Sequence, residues 1–140
     1  QMGVGYADAR LYEADYNMQL GAFHLGQLVD TFSGSYLMTA AGYNAGPGRP
    51  ARWINDCGDP RSPGFDPVDF IECTPFTETR DYMMRVMENM QVYRARLNGG
   101  VGALTLSADL RRGASTYTAA QATAAPVVSS GEVVTMQPIP

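Results

Sequence analysis

The chain has 140 residues, of which 45% are hydrophobic and 17% are charged, and its net charge is −4. These proportions are typical of one globular domain and exclude a disordered chain. The acidic balance argues against a nucleic-acid-binding protein, since such proteins present clustered Lys and Arg, and no apolar run approaches the length of a membrane span.

The first residues carry little structural signal. The chain opens with Gln1 and shows neither the charged leader nor the apolar run of a targeting segment, so we expect a fragment or a processed product. Residues 1–15 mix glycine, charged and aromatic residues, which favours a loop. Asp15 is then a suitable N-cap for the first helix, because its carboxylate can accept hydrogen bonds from free backbone amides.

Helical spacing of apolar residues marks a first helix from Tyr16 to Phe32. Its core-facing residues are Leu20, Phe23, Leu28 and Phe32. Gly21 and Gly26 lower helix stability but permit close approach of another helix. His24, the only histidine, would have to be the base of any Ser-His-Asp or Cys-His site. We expect it instead to be a partly buried helix residue.

The second helix, Tyr36–Ala45, ends in a dense group of residues with special backbone roles. Gly46 accepts a positive φ and Pro47 cannot continue the helix, so the helix brings the Tyr43 phenol and the Asn44 amide to one place. Buried polar groups need hydrogen-bond partners. The structural alternative is that Asn44 bonds to its own backbone as part of the helix end.

Two short helices follow. Pro50 fits the first turn of a helix that runs to Cys57, with Trp53 and Ile54 facing inward. After a Pro- and Gly-rich loop, Asp66 and Pro67 form an N-cap and first position for a helix over 68–72.

The longest predicted helix is capped by Thr77 and runs to Leu97. Its predicted core-facing stripe is Phe76, Met83, Val86, Met90, Tyr93 and Leu97. Glu78 and Asp81 suit the positive end of the helix dipole, which is a sufficient structural reason for Glu78. After Gly100 the composition shifts to Ala, Thr, Ser, Val and Pro, with Leu104, Leu106 and Leu110 as a small docking segment and a weakly structured remainder.

Four blocks of the sequence resemble one enzyme family, and they cover about residues 3–97 in the family's order. Ala41–Gly48 resembles the A-A-Y-N-A-G-P-G motif of the soluble lytic transglycosylases, glycoside hydrolase family 23, which share the goose-type lysozyme fold; Gly42 departs from the second Ala. The other blocks are 16–21 (Y-N-x-x-L-G), 48–53 (G-R-V-x-R-W) and 75–93 (I-P-F-x-E-T-R-x-Y-V…E-N-L-Q-V-Y). The resemblance implies that residues 1–100 are the C-terminal part of an all-α, lysozyme-like catalytic domain. Residues 101–140 would follow it as a tail.

The resemblance also implies an activity on peptidoglycan. The family cleaves the β-1,4 bond between N-acetylmuramic acid and N-acetylglucosamine and leaves a 1,6-anhydromuramoyl end, with one Glu as acid and then base. Tyr43, Asn44 and Tyr82 would bind substrate, and Glu78 would be a supporting carboxylate. The family's acid lies in an upstream E-S motif that this chain lacks, since Glu13 has no Ser neighbour.

The expected setting follows from the same resemblance. The partner is the peptidoglycan glycan strand, with no cofactor and no nucleic acid, in the periplasm or cell envelope; the 101–140 tail could bind a protein. In that compartment we expect Cys57 and Cys73 to form a disulfide rather than two buried free thiols, and together with His24 they are too few for a zinc site. The alternative function is a catalytically empty peptidoglycan-binding or scaffold subunit of the same fold.

Overall fold

The computed structural model describes residues 10–113, and within them the chain is all-α. The helices are α1 (Ala14–Thr31), α2 (Tyr36–Ala45), α3 (Gly48–Cys57), α4 (Pro67–Cys73), α5 (Thr77–Leu97) and α6 (Leu106–Leu110). The predicted fold class is confirmed, and α5, with 21 residues, is the longest of these helices. Among the described helices, none is long and apolar enough to cross a membrane. The tail prediction for 114–140 lies outside the described residues.

Helix α2 is the centre of the fold, because it packs against α1, α3, α5 and α6. Leu37, Met38, Ala40 and Ala41 are all buried, as expected for a helix that is apolar on every side. Its start is fixed by Ser35, whose Oγ accepts a hydrogen bond from the Met38 amide at 3.3 Å. Helix α2 is therefore surrounded by four other helices.

Helix α1 begins two residues earlier than predicted. Glu13 is at the N-cap and Asp15 lies inside the first turn, where a carboxylate still suits the helix dipole. The Asn17 amide donates to the Leu11 carbonyl at 3.0 Å and so anchors the helix start. Leu28 is buried, but Phe23 is 39% exposed. The predicted apolar face is only half covered, because α1 packs mainly against α2.

Gly42 on α2 gives Phe32 the space that it occupies. A Cβ atom at position 42 would lie 2.6 Å from Phe32 Cε2 and 3.6 Å from the Pro47 Cα. Phe32 is only 3% exposed, so its ring has little room to move. The departure from Ala in the octapeptide therefore has a packing reason.

We expect Gly42→Ala to lower the free energy of unfolding by about 1–3 kcal/mol, as overpacking of a filled core usually does. The measurement is urea denaturation of the variant beside the parent chain. The double variant Gly42→Ala/Phe32→Leu tests the cause, since a smaller side chain at 32 relieves the contact. If Gly42→Ala lowered the free energy of unfolding equally in the parent chain and in the Phe32→Leu variant, the contact with the Phe32 ring would not be the cause.

The short helices follow the sequence closely. α3 starts at Gly48 rather than Pro50, which nevertheless lies in its first turn. The Asp66 carboxylate caps α4 by accepting from the Val68 amide at 3.0 Å, with Pro67 at the first position, as predicted. Thr77 is the first residue of α5 rather than its cap. Its Oγ1 instead accepts from Arg80 at 3.0 Å.

The predicted stripe on α5 is confirmed in its middle, where Met83 is buried and Val86 and Met90 pack partly buried against the core, and is wrong at its ends, which are exposed. Met83 and Met87 are buried, whereas Tyr93 is 65% and Leu97 is 85% exposed. Phe76, Met83, Met90 and Leu97 recur every seven residues. A straight helix has 3.6 residues per turn, so this repeat drifts by about 20° every two turns and leaves the core face. The buried positions instead follow the four-residue spacing of Thr79, Met83 and Met87.

Residues 101–113 pack against the helical bundle. α6 contacts α2 and α5, and Leu110 packs partly buried against the main core. Leu104 is 72% exposed, so the prediction that it docks on the domain is wrong. The Arg111 guanidinium donates to the Phe65 carbonyl at 2.8 Å. This segment is held by hydrogen bonds as well as by Leu110.

Candidate functional site

Helix α2 ends at the position that the sequence predicts. Gly46 is its C-cap, with a φ of 86°, and its amide donates to the Gly42 carbonyl at 2.9 Å. Glycine is the residue that adopts this left-handed backbone most readily. The sharp end leaves Tyr43 and Asn44 in the last turn, Tyr43 being 42% exposed and Asn44 partly buried.

Asn44 is bonded to another helix rather than to its own backbone. Its Oδ1 accepts a hydrogen bond from the Thr79 hydroxyl of α5 at 2.7 Å. Thr79 is only 1% exposed, so this bond is shielded from water. The bond fixes the orientation of the Asn44 amide, and its NH₂ group remains a donor that a ligand could use.

Thr79 is a site residue that the sequence analysis missed. It lies within the block that resembles the family, between Glu78 and Arg80, but a threonine in a first helical turn has many structural explanations. The start of α5 is fixed around it, since the Arg80 guanidinium donates to the Thr74 carbonyl at 2.9 Å. Only the contact with Asn44, 35 positions away, shows its role.

The Tyr43 ring lies between two other aromatic rings. Tyr82 of α5 is nearly parallel to it, with an interplanar angle of 5° and centroids 6.4 Å apart. His24 of α1 is tilted by 44° at 5.6 Å from it. Both distances are within the range of attractive ring contacts. Burial raises the pKa of the Tyr82 phenol, with a smaller contribution from the Tyr43 phenol, so Tyr82 remains a neutral hydrogen-bond donor near neutral pH.

Glu78 is related to this group by its spacing along α5. Its position is four residues before Tyr82, so the two side chains share one face of α5. The resemblance implies a partly buried carboxylate held by hydrogen-bond donors, and this expectation is wrong, because Glu78 is exposed. The reason is its place in the first turn of α5, where no described helix covers that side.

His24 also differs from the expectation. It is exposed rather than partly buried, because the part of α1 on which it lies is not covered by a second helix. Its ring contact with Tyr43 nevertheless places it at the edge of the site. Among the residues that the structure describes, no group of three His, Cys, Asp or Glu side chains could hold a metal ion.

We expect Thr79→Val to lower the free energy of unfolding by about 1–3 kcal/mol, because it leaves the Asn44 carbonyl oxygen without its buried donor. Valine keeps the shape, so the loss reports the hydroxyl. Thermal or urea denaturation measures it, with Thr77→Val as a control that removes a solvent-exposed hydroxyl and its bond to Arg80 in the same helix turn. A Thr79→Val variant as stable as the parent chain would show that the Asn44–Thr79 hydrogen bond does not stabilise the fold.

Comparison with known proteins shows what the sequence is similar to. The family model of the Transglycosylase SLT domain matches residues 2–62. The chain is 34% identical over 92 residues to the soluble lytic murein transglycosylase of Escherichia coli K12, which is 64% of this chain and 14% of that protein. It is 35% identical over 86 residues, 61% of this chain and 13% of that protein, to the protein of the same name from Salmonella typhimurium. The matched part of the chain is lytic transglycosylase-like.

The transglycosylase-like part is a small share of these relatives, since the chain spans about 14% of the length of the first of them. The family match includes α1, α2 and α3, and therefore His24, Tyr43 and Asn44. It ends before α5, so Glu78 and Tyr82 are joined to the matched part by the contacts of the fold. Those contacts are the Asn44–Thr79 hydrogen bond and the Tyr43–Tyr82 ring pair.

Proposed function

We propose that this chain supplies one wall of the glycan-binding cleft of a peptidoglycan lytic transglycosylase. The observation that carries the proposal is the junction of α2 and α5, where Asn44 is bonded to Thr79 and Tyr43 lies parallel to Tyr82. The similarity to proteins named soluble lytic murein transglycosylase supports it. In this proposal, residues 1–100 are the C-terminal part of the catalytic domain, and residues 101–140 are a tail that could bind a protein. The protein would act in the cell envelope.

The side chains suit the recognition of a neutral sugar. The Asn44 NH₂ group and the Tyr43 and Tyr82 phenols are donors at fixed positions, and the phenol rings are apolar faces beside them. Glu78 is an exposed acceptor for sugar hydroxyl or N-acetyl N–H groups. Apolar ring faces beside a few oriented polar groups suit a sugar, which presents both C–H faces and hydroxyl and N-acetyl groups.

The proposed reaction is cleavage of the bond between N-acetylmuramic acid and N-acetylglucosamine. A Glu gives a proton to the leaving oxygen, and then takes one from the 6-hydroxyl of muramate as that oxygen bonds to C1, which gives the 1,6-anhydro product without water. We propose that this Glu is not part of the present chain and that Tyr43, Asn44 and Glu78 position the sugar.

A second candidate is a catalytically empty peptidoglycan-binding or scaffold subunit. The observation that favours it is the lack of an E-S motif before Tyr43, where Glu13 has no Ser neighbour, because cleavage needs an acid that protonates the leaving oxygen. The two candidates share the same glycan site. They differ in whether a longer protein that contains this chain brings an acid to it.

The test uses purified sacculi. We expect the 140-residue chain to pull down with sacculi but to release no anhydromuropeptides, as measured by liquid chromatography and mass spectrometry. In a longer protein that contains the chain, Tyr43→Phe and Glu78→Ala should lower turnover roughly tenfold to a hundredfold, as loss of substrate positioning does. Their effect on thermal stability should be small, since both side chains are exposed.

Tyr93→Phe is the matched control, because Tyr93 is an exposed tyrosine of α5 far along the helix from Tyr82. It should leave turnover unchanged. Release of anhydromuropeptides by the chain alone would contradict the proposal that the catalytic Glu lies outside it. A longer protein that binds sacculi but never cleaves them would favour the scaffold.

A further inference from the structure

His24 is a ring residue beside Tyr43 that the proposed function does not use. It is exposed on α1, and its ring lies 5.6 Å from the ring of Tyr43. The imidazole therefore lies on the surface with one side against Tyr43, where a ligand of Tyr43 could also reach it.

Tyr43 reaches α1 across a glycine. A Cβ atom built on Gly21 would lie 3.6 Å from the Tyr43 hydroxyl. Gly21 and His24 are three positions apart, so they lie on the same face of α1. The Tyr43 side chain thus lies over this face of α1, with its hydroxyl near Gly21 and its ring near His24.

Three helices therefore contribute to one aromatic row, which we define as His24 of α1, Tyr43 of α2 and Tyr82 of α5. The steps are 5.6 Å from His24 to Tyr43 and 6.4 Å from Tyr43 to Tyr82. Two members, His24 and Tyr43, are exposed and Tyr82 is partly buried. Each ring combines an apolar face with a polar edge.

We propose that His24 is a saccharide-binding residue that extends the glycan site from α2 and α5 onto α1. The row would then contact two neighbouring sugars of one strand, the first at Tyr43 and Tyr82 and the second at His24. Sugar rings present C–H faces that suit aromatic surfaces and hydroxyls that suit imidazole nitrogens and phenols. This inference rests on the proposed function, because it assumes that the ligand is a glycan.

The experiment uses the fact that His24 is the only histidine. In a ¹³C-labelled chain its two imidazole C–H signals are assigned without ambiguity, and Tyr43 is assigned from the Tyr43→Phe variant. The probe is a soluble tetrasaccharide of alternating N-acetylglucosamine and N-acetylmuramic acid, with the disaccharide as a shorter probe. We expect saturable shifts of the His24 and Tyr43 signals with the same Kd for the tetrasaccharide.

Variants separate contact from coincidence. His24→Ala should weaken tetrasaccharide binding roughly three- to tenfold, the usual worth of one ring contact, and leave disaccharide binding unchanged. His24→Phe should retain most of the affinity, because it keeps the ring. Gln19→Ala is the control, since Gln19 is exposed on α1 but five positions away and thus on another side of the helix.

The outcomes distinguish this inference from the proposed function. Shifts at Tyr43 without shifts at His24, and a His24→Ala variant that binds as the unchanged chain does, would overturn the role of His24 and leave the glycan site intact. No shift at either residue would overturn both. Shifts at His24 that persist in Tyr43→Phe, with loss in His24→Ala, would support the second sugar position.

Discussion

Asp109→Asn is expected to lower the free energy of unfolding by about 3 kcal/mol, because it breaks a buried ion pair on one side. Asp109 is only 4% exposed. Its carboxylate accepts hydrogen bonds from the Arg94 guanidinium, from Gln91 at 2.8 Å and from the Thr105 hydroxyl at 2.8 Å. An asparagine NH₂ would face the Arg94 cation instead. Arg94 is 36% exposed, so water limits the loss.

The same residue gives a pH dependence of known sign. Burial by itself raises the pKa of Asp109, but hydrogen bonds from Arg94, Gln91 and Thr105 outweigh it and hold that pKa below its usual value. A group with a lowered folded-state pKa stabilises the fold fully above the unfolded-state pKa, which is about 3.9 for Asp. That contribution is lost as the pH falls through the folded-state pKa.

Urea denaturation at neutral pH and in acid checks both statements. The gap in unfolding free energy between the parent chain and Asp109→Asn should be largest at neutral pH and should narrow in acid. The Asp59 carboxylate also has a lowered pKa, mainly through its hydrogen bonds with Arg61, but it is unchanged in both proteins and does not affect the gap. Asp81→Asn, at an exposed position of α5, should have little effect. A gap that is constant with pH would contradict the assigned ion pair.

Local chemistry explains why the helix ends could be predicted from the sequence. Gly46 and Pro47 stop α2, and Asp66 with Pro67 starts α4, as the structure has them. These signals act within a few residues of the chain, so they need no knowledge of the tertiary fold. The predictions that failed, such as Asp15 as the cap of α1, differ by one or two residues, which is the usual uncertainty of helix ends.

Burial and pairing depend on distant residues, and there the sequence was less informative. The side of α5 that is buried is decided by α2, so Met87 is buried while Leu97 is exposed. The bond between Asn44 and Thr79 spans 35 positions, and that between Arg94 and Asp109 spans 15. Asp109 lies in a segment that the composition assigned to a tail, and nothing in the sequence there indicates that its carboxylate is buried against α5.

The candidate site was predictable in part for the same reason. Tyr43 and Asn44 follow from the end of α2, a local feature, and the family resemblance brought Tyr82 and Glu78 to attention. The exposure of Glu78 and the contact of His24 with Tyr43 are tertiary facts. No spacing within α1 distinguishes His24 from any other polar residue on its surface.

Reduction of the disulfide between Cys57 and Cys73 is expected to have an effect of similar size to Asp109→Asn. The bond joins the last residues of α3 and α4, which are 16 positions apart. A loop of that length restricts the unfolded chain, which corresponds to about 3 kcal/mol of stability on the loop-entropy account. Phe65 lies inside this loop and packs against Gly58, where a Cβ atom would meet its ring at 2.3 Å.

The test compares urea denaturation of the oxidised chain with and without dithiothreitol. Cys73 is exposed, so the reductant can reach the bond, and the midpoint should fall on reduction. The double variant Cys57→Ser/Cys73→Ser is the control: it should match the reduced chain in stability and should not respond to dithiothreitol. If the oxidised chain and the double variant unfolded at the same urea concentration, the bond would not stabilise the fold. A difference of the expected size would mean that the chain needs an oxidising compartment for full stability.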